Sequence, residues 1–241
     1  RGAVDDKGQV FMHMKAIEAH LSQTGSLPVN IKVVLEGEEE VGSANLDDFI
    51  KANKDLLKAD VVVISDSPMF DRDVPSICYG LRGLAYFQID VRGTKSDLHS
   101  GSFGGAVVNP AMALATAIAA MKDKGGRIKI PGFYDDVVAL RDEERAEFAK
   151  LPFNEKRYRM DLGAPKLFGE SGYTTLERVW ARPTFEVNGL LSGFTGDGAK
   201  TVLPAVAMAK VSMRLVPNQD PKKILEGNGG NGSSFTLDWI C

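Results

Sequence analysis

The sequence predicts an α/β portion built on a mostly parallel sheet, followed by a second, α+β domain with antiparallel strands. Two patterns carry that expectation. Val29 to Leu35 and Ala59 to Ile64 are unbroken apolar runs flanking an amphipathic stretch, Leu46 to Leu57, and such runs mark parallel strands covered on both faces. By contrast, Leu84 to Val91 and Ala205 to Leu215 alternate apolar and polar residues, as antiparallel strands with one open face do.

The composition excludes several roles. A net charge of −3, with Lys and Arg scattered along 241 residues, offers no footprint for nucleic acid or an anionic membrane. No apolar run approaches the ~20 residues of a membrane helix. Two cysteines, Cys78 and Cys241, make no disulfide framework and suit a reducing, cytoplasmic setting. The opening Arg1-Gly2 and the Gly/Asn/Ser-rich tract 227–234 read as the marks of a fragment of a longer protein, with a tail that is non-native or a truncated return to the first domain.

Taken in order, a polar turn over 1–8 feeds a helix on which Val10, Met14, Ile17 and Leu21 share a face, stopped by Thr24-Gly25 and Pro28. His13 and His20 lie seven apart on it; a metal pair on a helix is more typically four apart, so they read as surface or packing residues. The first apolar strand ends in Glu36-Gly37-Glu38-Glu39-Glu40, and the second in Ser65-Asp66. Ligand sites of parallel sheets lie at the carboxyl ends of the strands, so these acids, joined by Asp5, are expected to meet at one rim. Like charges so crowded need a compensating cation.

From about residue 76 the character changes. Ala85, Phe87, Ile89 and Val91 are expected on one strand face, and His99 sits in a glycine-rich loop, 97–105. Asn109-Pro110 caps and opens an Ala-rich helix over 111–121. A charged helix around 141–150 belongs to an insertion that covers the domain. The stretch 193–201 resembles a phosphate loop only superficially, because Ala199 separates the last glycine from Lys200. Along 205–215, Lys210 and Arg214 fall on the face opposite the small apolar residues, a candidate anion surface.

Arg-Gly-Ala-Val-Asp-Asp-Lys-Gly at 1–8, Glu-Gly-Glu-Glu-Glu-Val-Gly-Ser at 36–43, Ile-Ser-Asp at 64–66, Asp-Leu-His-Ser-Gly at 97–101 and Ser-Met-Arg-Leu-Val-Pro-Asn-Gln at 212–219 occur in that order. Together they resemble the M20 family of di-metal peptidases, within it the dipeptidase branch that includes carnosinase-like enzymes. The resemblance implies a partial di-metal catalytic domain over 1–78, a ferredoxin-like lid and dimerisation domain over 79–217, and a tail over 218–241. It also implies a homodimer formed through the lid.

Carried over residue by residue, the resemblance makes Asp5 the metal-bridging aspartate, Glu40 and Asp66 metal ligands, and Glu39 the general base. Glu36 and Glu38 are not ligands in that correspondence. His99 resembles the histidine that reaches across the dimer to the developing oxyanion; Thr201 and Arg214 resemble residues that hold the substrate, Arg214 by its carboxylate. Asn188 is a further candidate for that surface.

The implied cofactors are two divalent ions, zinc, with manganese or cobalt as alternatives. The implied reaction is hydrolysis of a dipeptide by a metal-activated water. Histidines that the family uses for metal binding lie outside this chain, so the fragment alone is expected to be inactive. Deacylation of an N-acyl amino acid is an alternative within the family, and a non-catalytic dimerisation or peptide-binding module is an alternative outside catalysis.

Overall fold

The computed structural model describes residues 2–226 and 234–238, with side chains described as far as Ile224. The expectations for the tract 227–233 and for Cys241 fall outside the described residues. The chain divides into two compact units, Arg1–Tyr79 and Gly80–Cys241.

In the first unit, helix α1 runs Lys7–Thr24, and Gly25 closes it in the left-handed conformation, its N–H reaching the Leu21 carbonyl at 2.9 Å. A single 3₁₀ turn, Glu39–Val41, precedes α2 (Leu46–Ala52) and α3 (Lys54–Leu57). The helix expected over 46–57 is therefore broken at Asn53, whose amide NH₂ turns back to the Phe49 carbonyl. His13 and His20 are exposed on α1.

The parallel sheet expected here does not form among the described residues. Neither 29–35 nor 59–64 belongs to a strand ladder, although the Lys32 ammonium reaches the Lys58 carbonyl at 2.7 Å. Val61, Val62, Val63 and Ile64 are between 76% and 84% exposed. Apolar runs become strands only when a neighbour takes their backbone N–H and C=O groups, and among the described residues these two gain no strand partner.

The second unit begins with β1 (Gly83–Arg92), then β2 (Leu98–His99), α4 (Ser100–Phe103) and α5 (Pro110–Ala120). Helices α6 (Asp142–Lys150), α7 (Glu155–Asp161) and α8 (Thr175–Trp180) make up the insertion. Strands β3 (Glu186–Ser192), β4 (Val202–Leu203) and β5 (Val206–Leu215), helix α9 (Pro221–Glu226) and strand β6 (Ser234–Asp238) complete it.

The main sheet has the order β3-β5-β1-β6. Strands β1 and β5 pair antiparallel along their full length, from Gly83 opposite Leu215 to Arg92 opposite Val206. The alternation read from the sequence decides which face is covered: Ala85, Phe87, Ile89 and Val91 of β1 are buried with Ala207, Ala209, Val211, Met213 and Leu215 of β5. Leu114 of α5, Phe133, Phe185 and Ile224 of α9 complete that core. Each large apolar side chain fully buried there contributes roughly 1.5–3 kcal/mol.

The order and the β-α-β-β-α-β sequence of the elements match a ferredoxin-like arrangement, and β1 and β3 run parallel with β5 between them. One strand departs from it. A complete second half would run β6 parallel to β5, yet β6 is parallel to β1, entering beside Gln88 and leaving beside Arg92. Helix α9 spans only ~9 Å, against ~33 Å for the ten residues of β5. By itself it cannot return the chain to the level at which β5 began.

Local signals at α5 are realised as expected. Asn109 Oδ1 accepts the Ala111 N–H at 2.9 Å, and Pro110 occupies the first helical position, where no N–H is needed. Asn109→Ala is expected to cost about 1 kcal/mol, read as a lower urea midpoint at unchanged slope; an unchanged midpoint would remove the cap as a contributor.

The insertion is held by charge. The Glu170 carboxylate receives Arg182 Nε at 2.7 Å and Nη2 at 2.9 Å, with Arg127 Nη1 at 3.2 Å, and its carbonyl receives Arg178 Nε. Arg182 also lies over the rings of Tyr173 and Tyr134, at 4.3 and 5.4 Å from their centroids. Burial is the largest single influence and opposes the Arg182 charge, but the bond to Glu170, its charge, and Tyr173 and Tyr134 together outweigh it and hold the guanidinium above its ordinary value. Beside this hub, Arg145 Nε meets the buried Glu177 carboxylate at 2.8 Å, tying α6 to α8.

Candidate functional site

The acidic stretch of the first unit folds as a small loop rather than a row of free charges. Glu38 caps the 3₁₀ turn, its carbonyl accepting the N–H groups of Val41 and Ser43 at 3.0 Å. Its carboxylate accepts the Asn45 amide NH₂ at 2.8 and 2.9 Å and the Asn45 backbone N–H at 3.3 Å. Glu38 thus shapes the loop, while Glu39 and Glu40 follow it on the turn with exposed side chains. Asp5 is half-buried before α1, where the Asp5-Asp6 peptide is cis, and Asp66 is exposed beyond the second apolar run.

Carboxylate oxygens suit magnesium, calcium or manganese, and zinc accepts them beside histidine or cysteine. Among the described residues, however, no three His, Cys, Asp or Glu side chains gather as a group that could hold a metal ion. The convergence expected at one rim is therefore not built. Among the described residues Asp5, Glu40 and Asp66 do not by themselves make a three-ligand metal site.

In the second unit the structure joins two residues that are far apart in sequence. Strand β2 pairs with β4, His99 opposite Val202, and the Ser100 N–H donates to the Thr201 carbonyl at 3.1 Å. Across that pairing the His99 ring Nε2 lies 3.0 Å from Thr201 Oγ1. The Gly101 N–H donates to His99 Nδ1 at 3.1 Å, so the neutral ring carries its proton on Nε2 and donates to the Thr201 hydroxyl oxygen. The threonine O–H stays available to donate outward. A Cβ at position 101 would sit 2.9 Å from His99 Cε1, which explains a glycine beside the ring.

Asp97 fixes the same corner, its Oδ1 accepting the Ala205 N–H at 2.9 Å. Its place three residues before the Ser100–Thr201 bond is invisible without the β2–β4 pairing.

Arg214 lies elsewhere. It is exposed near the far end of β5, tied to Thr184 by paired hydrogen bonds at 2.9 and 3.3 Å. Val206, at the Thr201 end, is eight residues away, roughly 26 Å along an extended strand. Asn188 lies between these ends, in a bulge of β3 between Val187 and Gly189, exposed on the outer strand of the sheet. The structure therefore unites His99 with Thr201 and separates both from Arg214. One neighbour of Arg214 escaped the sequence reading: Arg82 stands two residues before Leu84, the partner of Arg214, a position that the two-residue period could have flagged.

Residues 79–227, the part that contains the β3-β5-β1 core of the main sheet, match the M20 peptidase dimerisation domain. The chain belongs to the M20 peptidase family. This M20 chain is 38% identical over 226 residues to the Cys-Gly metallodipeptidase dug1 of Schizosaccharomyces pombe, covering 93% of the chain and 48% of that protein. It is 35% identical over 222 residues to the human Beta-Ala-His dipeptidase, covering 91% of the chain and 44% of that protein.

Among solved structures, an M20 family metallo-carboxypeptidase, Sso-CP2 from Sulfolobus solfataricus, superposes with a TM-score of 0.78 at 40% identity, covering 95% of this chain and 53% of that one. The di-peptidase Dug1p from Saccharomyces cerevisiae gives 0.77 at 32% identity, covering 94% and 48%. The chain spans about half the length of the relatives it matches. Among its described residues no helix is long and apolar enough to cross a membrane.

Proposed function

We propose that the protein to which this chain belongs hydrolyses dipeptides with the help of divalent metal ions, as a homodimer. The observation that carries the reading is the bonded His99–Thr201 pair, at the opposite end of β5 from Arg214, in a chain whose relatives are named a metallodipeptidase and a dipeptidase. An extended dipeptide spans no more than ~7 Å. One dipeptide cannot touch both ends of the strand within one subunit. A site that uses all three residues must draw His99 and Thr201 from one subunit and Arg214 from the other, which fits the dimerisation domain matched by the lid.

Asp5, Glu40 and Asp66 are the proposed metal-facing carboxylates, zinc the proposed ion with manganese or cobalt as alternatives, and Glu39 the proposed general base. Bound divalent ions would lower the pKa of a water. Glu39 would accept that water's proton and return it to the leaving amine. His99 Nε2–H, already a donor, would face the oxygen that becomes negative in the tetrahedral intermediate, with the Thr201 hydroxyl beside it.

The relatives' names supply the substrates to test: Cys-Gly and Beta-Ala-His, each with zinc, manganese or cobalt added, on this chain and on a completed one. Metal-dependent release of the free amino acids by the completed protein is the expected result. Its absence for both dipeptides and for an N-acyl amino acid would favour a binding module.

A further inference from the structure

Two arginines share the open face of the lid sheet at its Gly83–Leu215 end. Leu84 stands opposite Arg214, and the two-residue period puts Arg82 on the same face as Leu84, away from the buried Ala85 and Phe87. Arg82 and Arg214 are thus diagonal cross-strand neighbours, a relation that sets residues about 7–8 Å apart, within reach of long side chains. The short segment 182–184 ties them together. The Arg182 carbonyl accepts Arg82 Nη1 at 3.5 Å, and Thr184 is bonded to the Arg214 backbone.

What is missing is an acid. Arg127, Arg141, Arg145, Arg157 and Arg182 of the same unit each have a carboxylate partner, whereas Arg159 and Arg178, which bond backbone carbonyls, and Arg92 have no salt bridge among the described residues. What sets Arg82 and Arg214 apart is that they are neighbours. Among the described residues, no salt bridge involves Arg82 or Arg214. Burial, and then the charge of Arg214, pull the Arg82 guanidinium below its ordinary value. A half-buried cation beside a second cation is unfavourable until an anion sits between them. Lys210, four residues from Arg214 on the same face, is roughly 13 Å further along the strand and does not join them.

We propose that Arg82 and Arg214 form a two-guanidinium clamp for the free carboxylate at the C-terminus of the peptide substrate. The proposal rests on the reading of Arg214 as a substrate-carboxylate residue and adds Arg82 to it. Two planar forks can each give paired N–H···O bonds to one carboxylate, which a single lysine cannot imitate. A dipeptidase and a carboxypeptidase, the activities named for the relatives, both act beside a free terminal carboxylate.

The test titrates the whole 241-residue chain with N-acetylglycine and with its neutral counterpart N-acetylglycinamide, following arginine Nε–Hε resonances by NMR. The acid is expected to bind saturably and the amide not. Arg82→Gln and Arg214→Gln are each expected to weaken the acid about tenfold, with Arg82→Lys between them and wild type. Wild-type affinity in Arg82→Gln, with affinity lost in Arg214→Gln, would overturn the clamp and leave the Arg214 reading standing. Wild-type affinity in both, or no saturable binding by the unaltered chain, would overturn both. Amide spectra report whether each variant folds. Should Arg82→Gln not fold, Arg82→Lys decides, and wild-type affinity there overturns the clamp.

Discussion

Glu39→Gln in the completed protein is expected to lower turnover by about 10²–10⁴-fold, the usual contribution of a positioned general base. The amide keeps the shape of the side chain but cannot accept the water's proton. Metal content is expected to stay at the wild-type level, because the proposed ligands are Asp5, Glu40 and Asp66. The loop itself should persist, since Glu38 and Asn45 hold it without help from Glu39. Elemental analysis beside steady-state rates separates the two roles: lost metal would make Glu39 a ligand, and full turnover would remove it as the base.

The same variant tests the composite site. Mixed and reassorted with His99→Ala, itself impaired, Glu39→Gln is expected to recover about a quarter of wild-type activity. Half the dimers are then mixed, and one of their two sites is intact in each. No recovery, in a mixture shown by mass spectrometry to have exchanged subunits, would place His99 and Glu39 in the site of a single chain.

Glu170→Ala is expected to destabilise the second unit by about 3–5 kcal/mol, the cost of leaving a buried charge unpaired. The stranded partner is Arg182, whose side chain is only 5% exposed and which makes both of its carboxylate bonds to Glu170. Removing the other cation should matter far less. Arg127 is 53% exposed, so Arg127→Ala is expected to cost no more than about 1 kcal/mol. Urea unfolding of the three proteins checks the ranking, and similar midpoints for both variants would show that Glu170 is not the hub. The hub was not legible in the sequence, because Arg127, Glu170 and Arg182 look like ordinary surface charges until the insertion folds.

Legibility tracked distance along the chain. Asn109-Pro110 announced the start of α5, and Gly25 announced the end of α1, because capping is decided by residues within one helical turn. The buried faces of β1 and β5 were equally plain, since side chains alternate whatever the partner. The apolar runs at 29–35 and 59–64 misled as strands because apolarity reports a wish to be covered, whereas a ladder needs a neighbour's backbone. The expected meeting of Asp5, Glu40 and Asp66 depended on that ladder, and among the described residues no three such side chains gather.

The sequence by itself therefore determined the family, through five ordered motifs, together with the helix caps and the covered face of each lid strand. Only the tertiary structure decided that His99 meets Thr201, that Arg214 lies at the other end of its strand, and that Arg82 stands beside it. Those relations depend on strand register. One hydrogen-bonded ladder, Gly83 opposite Leu215 through Arg92 opposite Val206, brings together residues more than a hundred positions apart.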